Sequence, residues 1–366
     1  MKPNRFLSNY VGEEVSSYLY KEEDFAEFKR FDMGESAFPF TPKVFDEIKK
    51  FNESDMHDYP DPCLFELKKK IAEIFKVKPE MVTTGAGSDE IIELIPRLLL
   101  NEGDKALAII PTFFRFLDSV ARMNCEITMI HTKEAESFAI NDNIIEKIIR
   151  EANDDGVKLI WLCNPNNPTG VMMSLEQIKQ VLDKTDCFVV VDEALHEFID
   201  PTFKSSAVKL IDGRKNLLVL RSLSKAYGLA GIRFGFGIGD EETISFFEKF
   251  RLPYNSSTLS QKVALAVLKD HEHLKRTVQK TSEIKSELIK ELKTISGIHI
   301  ASETMTNTIL LKHKDKDLFS DLHKRKVLVA DFRNANGLEG RGYVRIIVRD
   351  KDMNDFLVKE LRDICS

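Results

Sequence analysis

From about residue 62 onward, helical periodicity alternates with short β-branched runs, and this alternation restricts the chain more than any other feature. It is the pattern of successive βαβ units, which bury a largely parallel sheet between layers of helix. Six runs read as strands, at 106–110, 126–130, 157–162, 188–191, 217–220 and 232–238. Between them, residues 90–100 place Ile91, Ile92, Ile95, Leu98 and Leu99 on one helical face, and residues 175–182 do the same with Leu175, Ile178, Val181 and Leu182. Such faces belong to crossover helices. The expectation is an α/β domain.

After Pro253 the pattern changes to a long helical tract, 259–292, followed by short strands near 298–300, 308–311, 327–329 and 343–348. That order predicts a smaller α+β domain. Residues 42–51 read as a helix ahead of the first sheet strand, so the N-terminal 50 or so residues are expected to pack on this second domain. The expected division is a large domain at 52–255 and a small one made of 1–51 with 256–366. The charge run at 312–317 reads as a solvated turn.

Composition removes several function classes. With 53 Lys+Arg against 59 Asp+Glu, interspersed, the net charge of −6 offers no basic stripe, so nucleic acid is not an expected partner. The five cysteines form no CxxC pair and are odd in number, which suggests neither a zinc ribbon nor a disulfide framework and fits a reducing cytosol. Residues 1–20 lack an apolar run and no window approaches the roughly 18 apolar residues of a membrane span. A cytoplasmic protein, neither exported nor membrane-anchored, is expected. His271 and His273 read as exposed helix residues rather than metal ligands, and no metal is expected.

Four segments carry chemistry. Thr84-Gly85-Ala86-Gly87-Ser88-Asp89-Glu90 leads into an amphipathic helix, where backbone N–H groups and the helix dipole could hold a phosphate; a plain glycine turn with a serine cap is the alternative. Glu90 stands where a dinucleotide fingerprint needs its third glycine. Asn164-Pro165-Asn166-Asn167-Pro168-Thr169-Gly170 follows a strand at the carboxyl edge of the sheet, where α/β proteins place ligands. The 188–191 strand delivers Asp192-Glu193 to the same edge, and with no GxxxxGK[ST] in the chain a nucleotide hydrolase is excluded. Finally, Arg221-Ser222-Leu223-Ser224-Lys225 follows another strand, with Arg233 eight residues beyond the lysine. Alone, Lys225 could be ordinary surface chemistry. Together with a buried carboxylate and an anion site it supplies the parts for a lysine Schiff base to pyridoxal phosphate.

The order of these motifs resembles the fold-type I pyridoxal-phosphate enzymes, and within them the histidinol-phosphate aminotransferase group. The likeness runs from Asp58-Tyr59-Pro60-Asp61 through GAGSDE, Pro111-Thr112-Phe113, NPNNPTG, VVVDEA, RSLSKAYGLAGIRFG and Tyr254-Asn255 to Val344-Arg345-Ile346. It implies a large domain with a mostly parallel seven-stranded sheet, a smaller α+β domain, and an aminotransferase of amino-acid biosynthesis acting on small molecules. By the same resemblance Lys225 carries the cofactor and moves the Cα proton, and Asp192 pairs with the pyridine nitrogen. Phe113 stacks on the ring and Asn167 donates to its O3′. Gly87, Ser88 and Asp89 with Ser222, Ser224 and Arg233 hold the phosphate. Arg345 takes the substrate's carboxylate or phosphate, and Gly34 lies in the segment 32–36 that resembles a substrate-binding loop. Tyr59 resembles the tyrosine that reaches the partner subunit's cofactor, implying a homodimer with composite sites.

The chain departs from the group in three places. Leu195 replaces the tyrosine of D-E-A-Y, leaving Asn167 as the main donor to O3′. Ala330 stands where an arginine for substrate phosphate is usual, with Arg333 or Arg341 as candidates to compensate. Segment 32–36 replaces an asparagine-rich motif. The leading function is amino-group exchange between an amino acid or amino-alcohol phosphate and a 2-oxo acid. The rival is a decarboxylase of the threonine-phosphate type, which shares an N-x-x-G-L element found at 334–338. A regulator on the same fold would need a DNA-binding domain ahead of residue 50, for which there is no room.

Overall fold

A computed structural model describes residues 27–154 and 156–366. Its larger sheet has seven strands in the order Val82–Ala86, Phe234–Gly239, Leu217–Ser222, Phe188–Asp192, Val157–Cys163, Lys105–Ile110, Glu126–His131. The last five run parallel, and Phe234–Gly239 is antiparallel to both its neighbours. Strand alternation assigns side chains to two cores. Val189, Val191, Val219, Ile160 and Leu162 pack on one face, while Val190, Leu218, Leu220, Leu159 and Trp161 pack on the other. A strand covered on both faces must be apolar throughout, which is why Val189, Val190 and Val191 read as an unbroken run. Each such side chain contributes roughly 1.5–3 kcal/mol by leaving water.

Three expectations shift. Val82–Ala86 is a strand, where the sequence suggested only a turn; Thr83 and Thr84, both 1% exposed, conceal its apolar character. Ala230–Ile232 forms a short 3-10 turn, so the next strand begins at Phe234, two residues later than expected. The tract 259–292 breaks at Lys269–Asp270 into Thr258–Leu268 and His271–Leu292.

The second sheet has five strands in the order Lys29–Phe31, Val327–Asp331, Val344–Ile347, Thr308–His313, Ile298–Ile300. Lys29–Phe31 pairs parallel with 327–329 and the remaining pairs are antiparallel. The His271–Leu292 helix joins the two units: Leu274 and Val278 pack in the large core, Leu288 and Leu292 in the small one. Of the segment expected on the smaller unit, Lys29–Phe31 joins its sheet, whereas Val44 of the Lys43–Ile48 helix packs in the large core. Residues 1–26 of that segment lie outside the described residues. No helix among the described residues is long and apolar enough to cross a membrane.

Candidate active site

Parallel strands end together at one edge of the large sheet, and Asp192 closes its strand there, in register with Cys163 and Leu220. The carboxylate is 5% exposed and accepts the Ala194 backbone N–H at 2.8 Å. Burial pushes its pKa up to about 7, with Asp89 and Glu193 adding to the rise and Lys225 opposing it. An acid held in this way awaits a cation.

Glu193, the next residue, turns to the opposite face. It pairs with Arg221 and accepts Ser206 Oγ and the Ala207 N–H, both at 2.6 Å. Arg221 also reaches Glu197 at 2.7 Å and lies over the rings of Phe75 (5.1 Å) and Phe203 (4.9 Å). Arg221 and Glu193 are 0% exposed and Glu197 1%. Adjacency in sequence predicts two carboxylates at one edge. Strand geometry separates them, because successive side chains leave opposite faces. His196, 0% exposed, meets Ser205 Oγ at 3.2 Å, and burial lowers its pKa.

Lys225 follows the Leu217–Ser222 strand, and its amine makes no hydrogen bond or ion pair among the described residues. Burial, then the charge of Arg345, depresses its pKa to about 8; Asp89 and Glu35 oppose that fall. Gly34 lies against it. A Cβ on that glycine would stand 3.1 Å from Lys225 Nζ, so the absence of a side chain there leaves room around the amine. Arg345, on the smaller sheet, donates to Asn167 Oδ1 at 2.6 Å and to the Asp32 carbonyl at 2.6 Å. Its Nε is buried without a partner. Burial lowers its pKa to about 10. With its oxygen committed to Arg345, Asn167 keeps its Nδ2 donor unengaged. Phe113 precedes the Phe114–Ala121 helix and meets Phe116 edge-on at 5.6 Å.

The Asn164 to Gly170 loop is seated by the smaller unit. The Met305 N–H donates to the Gly170 carbonyl at 3.0 Å, and Ser302 Oγ donates to the Thr169 carbonyl. Gly170 has φ 72°, and a Cβ there would overlap Thr304. Neither contact has a local sequence signal.

The glycine turn forms a cradle at the N-terminus of the Ser88–Leu99 helix. Gly87 has φ 77°, and a Cβ on it would overlap the guanidinium of Arg233. That guanidinium donates to Ser224 Oγ at 3.3 Å and to Asp89 at 3.1 Å, while Ser222 Oγ accepts the Ser224 N–H at 3.2 Å. Helix N–H groups, two serines and an arginine therefore converge. The Asp89 carboxylate can only accept, so what it offers a phosphate is its backbone N–H.

Other expected site residues lie differently. Tyr59 is 83% exposed and packs on Tyr254 at 4.7 Å, with Met56, Phe65, Phe250 and Leu252 also exposed. Arg333 is held by Asp331 at 2.8 Å and Asp317 at 2.7 Å and stacks on Phe319, and Arg341 is taken by Glu134 at 3.2 Å. Acidic side chains therefore hold both guanidiniums, whereas Arg345 keeps a buried Nε with no hydrogen-bond partner among the described residues. Leu195 is 6% exposed and belongs to the large core. His271 and His273 begin a helix, and no group of His, Cys, Asp and Glu able to hold a metal occurs among the described residues.

These residues fit pyridoxal phosphate by their own chemistry. Among the described residues a buried acid has no ion pair and a half-buried amine no hydrogen bond, and a helix-terminal cradle supplies donors for a phosphate. Comparison with known proteins agrees. Residues 30–361 match the family model of aminotransferase class I and II. A histidinol-phosphate aminotransferase of Thermoanaerobacter sp. (strain X514) is 35% identical over 361 residues, covering 98% of this chain and 99% of that one. Among solved structures, a Sinorhizobium meliloti histidinol-phosphate aminotransferase in complex with pyridoxal-5'-phosphate shares the fold, with TM-score 0.82, 21% identity, and 92% and 90% of the two chains covered. An L-threonine-O-3-phosphate decarboxylase from Porphyromonas gingivalis shares it too, with TM-score 0.77, 23% identity, and 91% and 98% covered.

Proposed function

The chain belongs to the aminotransferases of class I and II and is a pyridoxal-phosphate-dependent aminotransferase, and we propose that it moves an amino group between an amino acid or amino-alcohol phosphate and a 2-oxo acid. The relative's name supports histidinol phosphate as the amino-alcohol phosphate. The observation that carries the reading is the half-buried Lys225 amine, without a hydrogen bond or ion pair among the described residues and within electrostatic reach of both Asp192 and Arg345.

When bound, pyridoxal phosphate supplies an electrophilic aldehyde and a ring that accepts negative charge. Lys225, its pKa depressed to about 8, reaches the uncharged nucleophilic form more readily than an ordinary lysine and would be the group that holds the aldehyde and moves the proton at the substrate Cα. Asp192 keeps the ring nitrogen protonated. At about 4 Å and an effective dielectric near 20, such a pair is worth on the order of 4 kcal/mol. Phe113 covers a ring face, and the free Nδ2 of Asn167 donates to the ring oxygen. The N–H groups of Gly87, Ser88 and Asp89, with Ser222, Ser224 and Arg233, hold the phosphate. Arg345, whose buried Nε has no hydrogen-bond partner among the described residues, is the arginine placed to take the substrate carboxylate, and Arg333 serves the smaller unit's own packing.

The same reading has a cofactor-holding domain at 52–255 and a second domain formed by the flanking segments, in a cytoplasmic homodimer. The exposed apolar side chains around Tyr59 and Tyr254 support a subunit contact there, with Tyr59 reaching the partner's cofactor. Borohydride reduction of the holoenzyme followed by peptide mapping should label Lys225. Incubation with an amino acid should leave pyridoxamine phosphate. Release of carbon dioxide with the aldehyde cofactor retained would replace the reading with the decarboxylase.

A further inference from the structure

We propose that Asp89 is a built-in competitor of the cofactor's phosphate: its carboxylate neutralises Arg233 in the cofactor-free chain and so sets how tightly the cradle holds the cofactor. The inference rests on the reading of the cradle as the phosphate site.

Arg233 is the guanidinium that Ser224 and Gly87 surround, and Asp89 pairs with it at 3.1 Å. The pair carries no net charge, yet a phosphate monoester near neutral pH carries close to two negative charges. Backbone donors, two hydroxyls and the helix dipole must then hold the anion with its one contacting arginine already countered. Asp89 is not needed to keep Arg233 in place. The guanidinium also donates to the Ala230 carbonyl at 3.2 Å and to Ser224 at 3.3 Å, and the arginine backbone is fixed at φ 52°. Asp89 has an alternative partner in Arg115, whose Nε lies 3.9 Å from its other oxygen. Arg115 is itself shared with Glu93 at 3.4 Å and Asp118 at 3.6 Å. When a phosphate takes Arg233, the displaced carboxylate therefore meets a cation already shared by two acids and stays as a like charge beside the anion. Its field also reaches the catalytic groups, raising the pKa of Asp192 and opposing the depression at Lys225.

Asp89→Asn removes the charge, keeps the size and leaves an oxygen to accept from Arg233. Cofactor-free wild type and variant would be titrated with pyridoxal phosphate, read as the visible band and by equilibrium dialysis, and with inorganic phosphate as competitor. Because the pair is about half exposed, the variant should bind both anions about threefold more tightly, the gap narrowing with added salt. Equal or weaker binding would overturn the proposal. Asp89→Ser, which also removes the charge and is tolerated in the first turn of a helix, repeats the test should the asparagine variant not fold. A wild type that takes up no borohydride-trappable cofactor would overturn the site reading itself. A wild type that does, with variants no tighter, overturns only the role of Asp89.

Discussion

Replacing Asp192 by Asn should stabilise the cofactor-free protein while impairing the loaded enzyme. In the chain without cofactor the carboxylate is 5% exposed and makes no ion pair among the described residues, and burial, only partly opposed by the charge of Lys225, raises its pKa from 3.8 to about 7. An acid that binds its proton more tightly when folded adds stability at low pH, in full below 3.8, and loses it as pH rises through 7. Relative to the acid form, the ionised form is then disfavoured by about 4 kcal/mol at pH 8. Asparagine can still accept the Ala194 N–H, so Asp192→Asn removes this cost without breaking that bond. In urea unfolding of the cofactor-free protein, the variant should exceed wild type by up to about 4 kcal/mol at pH 8 and by about 2 at pH 5. Adding pyridoxal phosphate should reverse the order, because only the carboxylate can pair with the ring cation. A variant less stable than wild type at pH 8, or a difference that does not shrink at pH 5, would refute the argument.

Gly34→Ala puts a methyl 3.1 Å from Lys225 Nζ and should lower kcat at least tenfold with little change in urea midpoint, read by steady-state kinetics beside a melt. Leu195→Tyr adds a phenol near the ring oxygen: a pH titration of the visible band should show the lysine-bound cofactor losing its proton at lower pH, with about 1–3 kcal/mol lost to overpacking. An unmoved titration with cofactor bound normally would mean another group satisfies that oxygen. Arg221→Met leaves Glu193 and Glu197 buried without their cation and should cost about 3–5 kcal/mol in chemical denaturation.

The parallel strands were legible because burial on both faces forces unbroken apolar runs, and the site motifs because each sits where such a strand ends. Val82–Ala86 escaped notice because its threonines and glycine are buried by pairing with Phe234–Gly239, which local composition does not record. Lys29–Phe31 is three residues long and owes its strand state to a partner some 300 positions away. The opposite destinations of Asp192 and Glu193 follow from strand alternation, a signal that the adjacency of two acids obscured. The seating of Gly170 against Thr304 and the commitment of Asn167 to Arg345 join distant segments, and no spacing rule reveals them.

The Arg221 cluster bears on how the molecule assembles. Its groups come from Phe75, from 193–197, from 203–207 and from strand residue 221, and all three ions are buried in the folded chain. A partly collapsed chain that buried 193–197 without residue 221, or the reverse, would enclose a charge with no counterion, so intermediates of that kind are disfavoured and these two segments are expected to close together. Since Asp192 adjoins Glu193 and Ser222 adjoins Arg221, that same step completes the ligand-facing edge of the sheet. During refolding, the capacity to capture cofactor should therefore return with the burial of these ions rather than gradually with secondary structure.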